Sequence, residues 1–202
     1  MNVDKAGSSM EVSKSAEFNC RFIAALERKD IAMIKDWRNR QMMILRQSKP
    51  LTDTDQEEWY RNLSRDDSQI VFGLRFNEGE SDHLVGYCAL VRMDSISKRA
   101  ELSFLVNPTR AESKDLYKND MISALALLCR YGFEEIQLHK IYTETFEFRK
   151  NHISILEDFG FVKEGVLRSH QYKSGKFLDS VLHSMLDVEW KSIRERWFDG
   201  HQ

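Results

Sequence analysis

The segment from Arg99 to Phe148 constrains this chain more than any other. Arg99-Ala100-Glu101-Leu102-Ser103-Phe104-Leu105-Val106 is rich in β-formers and is halted by Asn107-Pro108, because proline offers no backbone N–H to a ladder. Met121, Leu125, Leu128 and Gly132 then fall on one face of a helix, with Ala124 and Tyr131 beside them. Lys140 to Phe148 alternates as a strand again, setting Ile141, Thr143 and Thr145 against Tyr142, Glu144 and Phe146. Strand, helix and strand in succession predict a crossover, and therefore one parallel pair inside the sheet.

The flanking segments predict antiparallel structure. Upstream, Cys20 to Leu26 reads as a strand, and Asp30 offers an N-cap to a helix carrying Ile31, Ile34 and Trp37. A second helix opens after Leu51, where Thr54 and Glu57 have capping-box spacing and Trp59, Tyr60 and Leu63 supply an apolar side. Gln69–Phe76 and His83–Met93 read as paired strands around the turn Asn77–Ser81. Downstream, Ile153, Leu156 and Phe159 make a short helix ended by Gly160. Val162–Tyr172 and Phe177–Leu186 form a closing hairpin around Lys173-Ser174-Gly175-Lys176, and Asp187–Phe198 a last helix with Trp190, Ile193 and Trp197. The expected class is α/β (α+β): a mixed, mostly antiparallel twisted sheet flanked by helices.

At 202 residues the chain suits one domain better than two. Residues 1–18 are polar, with Ser8, Ser9, Ser13 and Ser15 and no periodicity, and are expected to be a disordered tail. Residues 19–187 are expected to form the domain, and residues 188–202 a C-terminal helix and tail. Lys and Arg are scattered in a chain of net charge −2, which argues against a nucleic-acid partner. No run is long enough to span a membrane, and the N-terminal residues lack the apolar centre of a signal peptide, so a cytoplasmic protein without a membrane partner is expected. Cys20, Cys88 and Cys129 lie far apart in apolar stretches and read as buried small hydrophobes, while the six histidines show no metal-ligand spacing.

Four segments, in this order and spacing, carry a resemblance to a known family. They are Asp36-Trp37-Arg38-Asn39, Ala100 to Pro108, Leu138-His139-Lys140-Ile141-Tyr142-Thr143-Glu144, and Glu157-Asp158-Phe159-Gly160-Phe161 running on to Arg168. From about Phe22 to Leu186 the chain resembles the GNAT superfamily of acyl-CoA N-acyltransferases, closest to its ribosomal-protein N-terminal and amino-sugar acetyltransferase branches. The resemblance implies a sheet splayed at its centre, acetyl-CoA as co-substrate without a metal, and transfer of acetyl to a small-molecule amine or a peptide N-terminus. A homodimer is compatible with it. A non-catalytic GNAT-fold interaction domain stays open as an alternative.

Implied roles follow by position. Phe104, Leu105 and Val106 would offer backbone groups to the pantetheine arm. A helix beginning after that strand would aim its N-terminus at the pyrophosphate. The family places a glycine-rich motif there, but no glycine occurs between Gly86 and Gly132, and Thr109 to Asp120 looks a few residues long. Lys114, Lys118, Asn119, Asp120 and Met121 are the expected contacts in that stretch, with Arg110 a further cation near phosphate. The family's next cofactor asparagine falls at Arg149, or at Asn151 if a loop is shortened, and its tyrosine falls at Leu156. Glu101 and then Glu144 are candidate bases for the attacking amine, or plain strand carboxylates paired to a nearby cation. Arg38, Asn39 and Arg46 lie in the expected acceptor wall, where arginine would suit a phosphate-bearing amino sugar, or are surface groups at a helix end.

Overall fold

A computed structural model describes residues 18–79 and 81–198. Seven strands form one sheet in the order β1-β2-β3-β4-β5-β7-β6. They are β1 (Arg21–Ala25), β2 (Ile70–Glu78), β3 (Ser81–Asp94), β4 (Arg99–Val106), β5 (Lys140–Phe146), β6 (Val162–Lys173) and β7 (Lys176–Leu186). The helices are α1 (Asp30–Arg40), α2 (Asp53–Leu63), α3 (Pro108–Ala111), α4 (Lys114–Arg130), α5 (Lys150–Phe159) and α6 (Asp187–Phe198). Among the described residues only β4 and β5 pair in parallel, as the strand-helix-strand segment requires.

Side-chain alternation sends the two faces of the sheet to different helices. Ile23, Phe72, Leu74, Ala100, Leu102 and Ile141 meet α4, α5 and α6 in the larger core. On the opposite face, Leu84, Tyr87 and Leu105 meet Ile31, Ile34 and Trp37 of α1, with Trp59 and Tyr60 of α2 against them. In β3 the alternation breaks at a bulge: Leu74 pairs with Gly86 and Arg75 with Leu84, skipping Val85. Val85 and Cys88 consequently share the larger core although one is odd-numbered and the other even. A Cβ on Gly86 would stand 2.6 Å from the Leu105 carbonyl oxygen, so the bulge requires glycine there.

Local signals mostly agree with the elements formed. Gly160, at φ +123°, ends α5 as expected. The β6–β7 turn uses Ser174 and Gly175, both at positive φ, as a tight hairpin demands. Two caps differ. The capping box of α2 is formed by Thr52 and Asp55 rather than Thr54 and Glu57: Thr52 Oγ1 accepts the Asp55 N–H at 3.1 Å, and the Asp55 carboxylate accepts the Thr52 N–H at 2.8 Å. Asp30 is the first residue of α1 rather than its cap, because its carboxylate is buried, accepting from the Glu27 N–H (2.8 Å) and from Arg75 (2.7 Å). Cys88 and Cys129 are buried as expected, whereas Cys20 is exposed in the turn before β1.

Nearly all of the expected N-terminal tail, residues 1–17, lies outside the described residues. Phe18 is part of the core instead, 4% exposed and edge-on to Trp197 and Phe198. Helix α6 packs onto the same core through Trp190, whose ring stacks near Phe159 and Phe133. No helix among the described residues is long and apolar enough to cross a membrane.

The largest departure concerns residues 108–120. The short helix α3 begins at Pro108 behind an Asn107 cap, and Ser113 caps α4, its hydroxyl accepting the Leu116 N–H. Asp120, fully buried, receives Arg21 Nε at 2.7 Å and Arg110 Nε and Nη2 at 2.6 and 2.8 Å. Both guanidinium groups lie over the Phe76 ring. Asp120→Ala would leave two inward cations without their anion and is expected to cost about 3–5 kcal/mol. Urea unfolding checks this, and a loss below about 1 kcal/mol would mean that the pair does not hold α4 in place.

Candidate active site

Strands β4 and β5 pair only at Arg99–Lys140, Ala100–Ile141 and Glu101–Tyr142. Past Glu101 they part. Leu102–Val106 keep β3 on their other edge, and Thr143–Phe146 keep β7. One edge of each strand therefore faces a cavity of about 440 Å³, whose walls include Leu102, Ser103, Phe104, Thr143, Glu144 and Thr145. Backbone edges left free beside a cavity suit a ligand with amide groups of its own.

The cavity's polar wall is built on the α1–α2 side. Glu101 and Glu144 point to the same face, and Arg46 bridges them, with Nη2 on Glu101 and Nη1 2.9 Å from Glu144 Oε2. Arg92 Nη1 reaches the other Glu101 oxygen at 2.9 Å, while Ser180 Oγ donates to Glu144 at 2.9 Å. The Glu101 side chain is 2% exposed and that of Arg46 30%. Burial disfavours the Arg46 cation, but Glu101 and Glu144 outweigh it and hold the guanidinium above its ordinary pKa. Both carboxylates are thus paired, as the sequence left open, and both line the cavity.

Arg46 sits on the segment joining α1 to α2, which is pinned at several points. Asn39 accepts the Leu51 N–H at 2.8 Å and donates back to the Leu51 carbonyl at 2.9 Å. Gln41 Nε2 donates to the Val106 carbonyl at 2.8 Å, tying the segment to the end of β4. Lys173, from the β6–β7 hairpin, donates to the carbonyls of Leu45 and Gln47, the residues on either side of Arg46. Consecutive residues of a helix face different ways, so Trp37-Arg38-Asn39 serves three ends. Trp37 enters the core, Arg38 lines the cavity and bonds to Gln47, and Asn39 staples its own loop rather than facing the cavity.

At the other end, Arg149 and His152 of the α5 start line the cavity. Tyr117 of α4 donates its hydroxyl to His152 Nδ1 (2.6 Å) and accepts from Arg149 Nη2 (2.8 Å), which also approaches Nδ1 at 3.2 Å. Two donors at Nδ1 place the imidazole proton on Nε2. Burial, then the charge of Arg149 and the neighbouring His183, push the His152 pKa well below its usual 6.5. Burial likewise raises Tyr117 against the opposing pull of Arg149.

The remaining expected residues divide. Phe104 lines the cavity, Leu105 is buried against α1, and the Val106 carbonyl is taken by Gln41. Lys114, Lys118, Asn119 and Asn151 are exposed and do not line the cavity. Asp120 and Met121 are buried, the first in its double ion pair and the second in the core, and Arg110 is spent on Asp120. These three are withdrawn from any phosphate site. Leu156 is core. Arg92, Lys173, Gln41, Tyr117 and His152 escaped the sequence reading, since each acts on a partner at least nine residues away and no periodicity marks it.

Residues 23–182 match the family model described as an acetyltransferase (GNAT) domain. The chain belongs to the GNAT acetyltransferase family. Spermidine N(1)-acetyltransferase of Vibrio cholerae is 27% identical over 159 residues, covering 78% of this chain and 87% of that protein. A Bacillus subtilis protein bearing the provisional name of ribosomal N-acetyltransferase is 26% identical, covering 66% of this chain and 68% of its own. The crystal structure of the Vibrio cholerae spermidine enzyme with CoA and spermine superposes with a TM-score of 0.75 at 23% identity, covering 85% of this chain and 98% of that one. The fold is the one expected, and the activity is that of an acetyl-CoA-dependent N-acetyltransferase.

The His152 environment has a measurable consequence. Its folded pKa is depressed, so the unfolded chain binds that proton first as pH drops below about 6.5. The stability this group contributes is present above that pH and is lost as pH falls towards the folded value. In urea unfolding from about pH 7 to 5, wild type is expected to lose up to about 1.4 kcal/mol per pH unit more than His152→Gln. Parallel profiles for the two proteins would show that His152 is free to ionise in the folded state.

Proposed function

We propose that this acetyltransferase acts on a small primary amine that also carries an anionic group, as a nucleotide-linked amino sugar does. The observation that supports this is the charge of the cleft: Arg38, Arg46, Arg92 and Arg149 line it against only Glu101 and Glu144. Arg46 and Arg92 already bind those carboxylates, whereas Arg38 and Arg149 bond to neutral groups, namely Gln47, Tyr117 and His152. A guanidinium not matched by a carboxylate favours an anion: Arg38, on the α1–α2 side, disfavours a polycation there, while Arg149, at the other end, suits the phosphates of the acyl donor.

Acetyl-CoA supplies the acetyl group as a thioester. The parted edges of Leu102–Phe104 and Thr143–Thr145 suit its pantetheine amides, and the mouth of the cleft beside Arg149 suits its phosphates. Lys114, Lys118 and Asn119, exposed on the first turns of α4, are secondary candidates for that phosphate contact. The first turn of α4 leaves backbone N–H groups outside the intrahelical ladder, and the side-chain cations add to them in place of a glycine loop.

An attacking amine must be neutral, since an ammonium has no lone pair. Glu101 and Glu144, on the face where the two strands part, are the proposed route for its proton. Holding amine and thioester side by side in the cleft supplies much of the remaining rate enhancement.

Acetyl-CoA is expected to raise the melting temperature in proportion to the logarithm of its concentration. Release of free thiol, screened across amino-sugar nucleotides, polyamines and peptides, identifies the acceptor, and success with peptides alone would overturn the small-molecule assignment. With the accepted amine, Glu144→Gln is expected to lower kcat by about a hundredfold with little change in KM for acetyl-CoA. Unchanged kcat would remove Glu144 from the proton's path. Arg38→Ala is expected to raise the acceptor KM by about tenfold.

A further inference from the structure

We infer that Arg46 sets the acceptor class by standing as a built-in cation across Glu101 and Glu144, closing to polyamines a site that would otherwise receive them. The inference rests on the reading of this cleft as the acceptor site. Two carboxylates on adjacent strands, facing one cavity at the point where the strands separate, are the arrangement that a protonated amine would seek. Here a side chain of the protein meets that demand, with one guanidinium nitrogen on each carboxylate.

Arg46 is held there rather than resting there by chance. Lys173 donates to the carbonyls of Leu45 and Gln47, gripping the main chain immediately before and after Arg46. Gln41 and Asn39 secure the same segment upstream and downstream. Lys173 belongs to the β6–β7 hairpin, whose Ser174 hydroxyl also meets Met43 Sδ at 3.4 Å, so the hairpin tip and the Arg46 segment form one wall. Lys173 is a positioning residue: it touches no carboxylate of the cleft in this structure and acts by aiming Arg46.

The electrostatic consequence is direct. With Arg46 in place, the charge of both carboxylates is offset, and the further ammonium groups of a polyamine meet Arg38 and Arg92 beside them. Replacing Arg46 by a short neutral residue removes one positive charge and uncovers two carboxylates at the same time. Glu144 would retain the Ser180 hydroxyl and Glu101 would retain Arg92, so the carboxylates stay oriented without their bridge.

The test measures spermine binding by isothermal titration to wild type, Arg46→Ser and Lys173→Met, each with and without saturating CoA, with circular dichroism confirming the fold. Arg46→Ser is expected to bind spermine at least about tenfold more tightly than wild type, and Lys173→Met to show a smaller gain in the same direction. Raised salt should erase most of the gain. Equal spermine affinity in wild type and in folded Arg46→Ser would overturn the inference. If Arg46→Ser does not fold, the result for Lys173→Met decides, and no gain there counts against it. Loss of CoA binding by all three proteins would instead refute the acyl-donor reading, while the spermine comparison would still decide the role of Arg46.

Discussion

Three residue pairs hold β4 to β5, and the active site depends on the pairing stopping there. A parallel ladder that continued to Val106 and Phe146 would satisfy its own backbone and leave nothing for a ligand. Each strand remains secured on its far side, β4 by β3 and β5 by β7, so the separation does not require either to fray. Helix α4 lies under the junction with a run from Ala124 to Cys129 buried without interruption, giving the separated strands a common floor. The cleft is thus a consequence of topology: a crossover connection sets two strands parallel, and their ends are free to diverge where no third strand intervenes.

Charge, rather than shape, gives the cleft its individuality. A buried carboxylate must be paired, and both Glu101 and Glu144 satisfy that need with Arg46 from a distant segment, joined at Glu101 by Arg92 of the neighbouring strand. The same rule operates behind the sheet, where Asp120 draws in Arg21 and Arg110, and under α1, where Asp30 draws in Arg75. In these two cases the carboxylates are fully buried and serve to dock one element on another. Around Glu101 the arrangement opens onto a cavity, and the partner cation stays partly exposed. An identical physical requirement therefore yields struts in two places and a cavity wall in the third.

Much of the architecture was legible because it is local. Alternation in Lys140–Phe146, the glycine at position 160 and the Ser174-Gly175 turn each express a requirement that neighbours in sequence satisfy together. The strand segment that resembles the family's cofactor strand proved to be the one at the opening. What was not legible depends on distant partners. Asp30 reads as a helix cap and Asp120 as a cofactor contact until Arg75, Arg21 and Arg110 are known to meet them. The start of α4 differs for a related reason: Lys114 to Asp120 reads as a phosphate-contacting stretch, yet Ser113 caps a helix there and Asp120 turns inward to its arginines. Arg92 sits at positive φ beside an irregularity in the β3–β4 register, which aims it at Glu101 against the strand's alternation.

The helical substitute for a glycine-rich loop ties these observations together. Glycine is needed where backbone must approach phosphate with no side chain between. In this chain the stretch is helical, and the N–H groups outside the intrahelical ladder are those of the opening turns. The same helical turn brings Tyr117 against Phe104 and onto His152, so the residues that displace the loop also build the end of the cleft. Arg149 reaches the same end of the cleft, where its guanidinium donates to the Tyr117 hydroxyl rather than to a carboxylate. The turn that opens α4 thus also shapes one end of the cleft, where Tyr117 and His152 are buried and the half-buried Arg149 meets them.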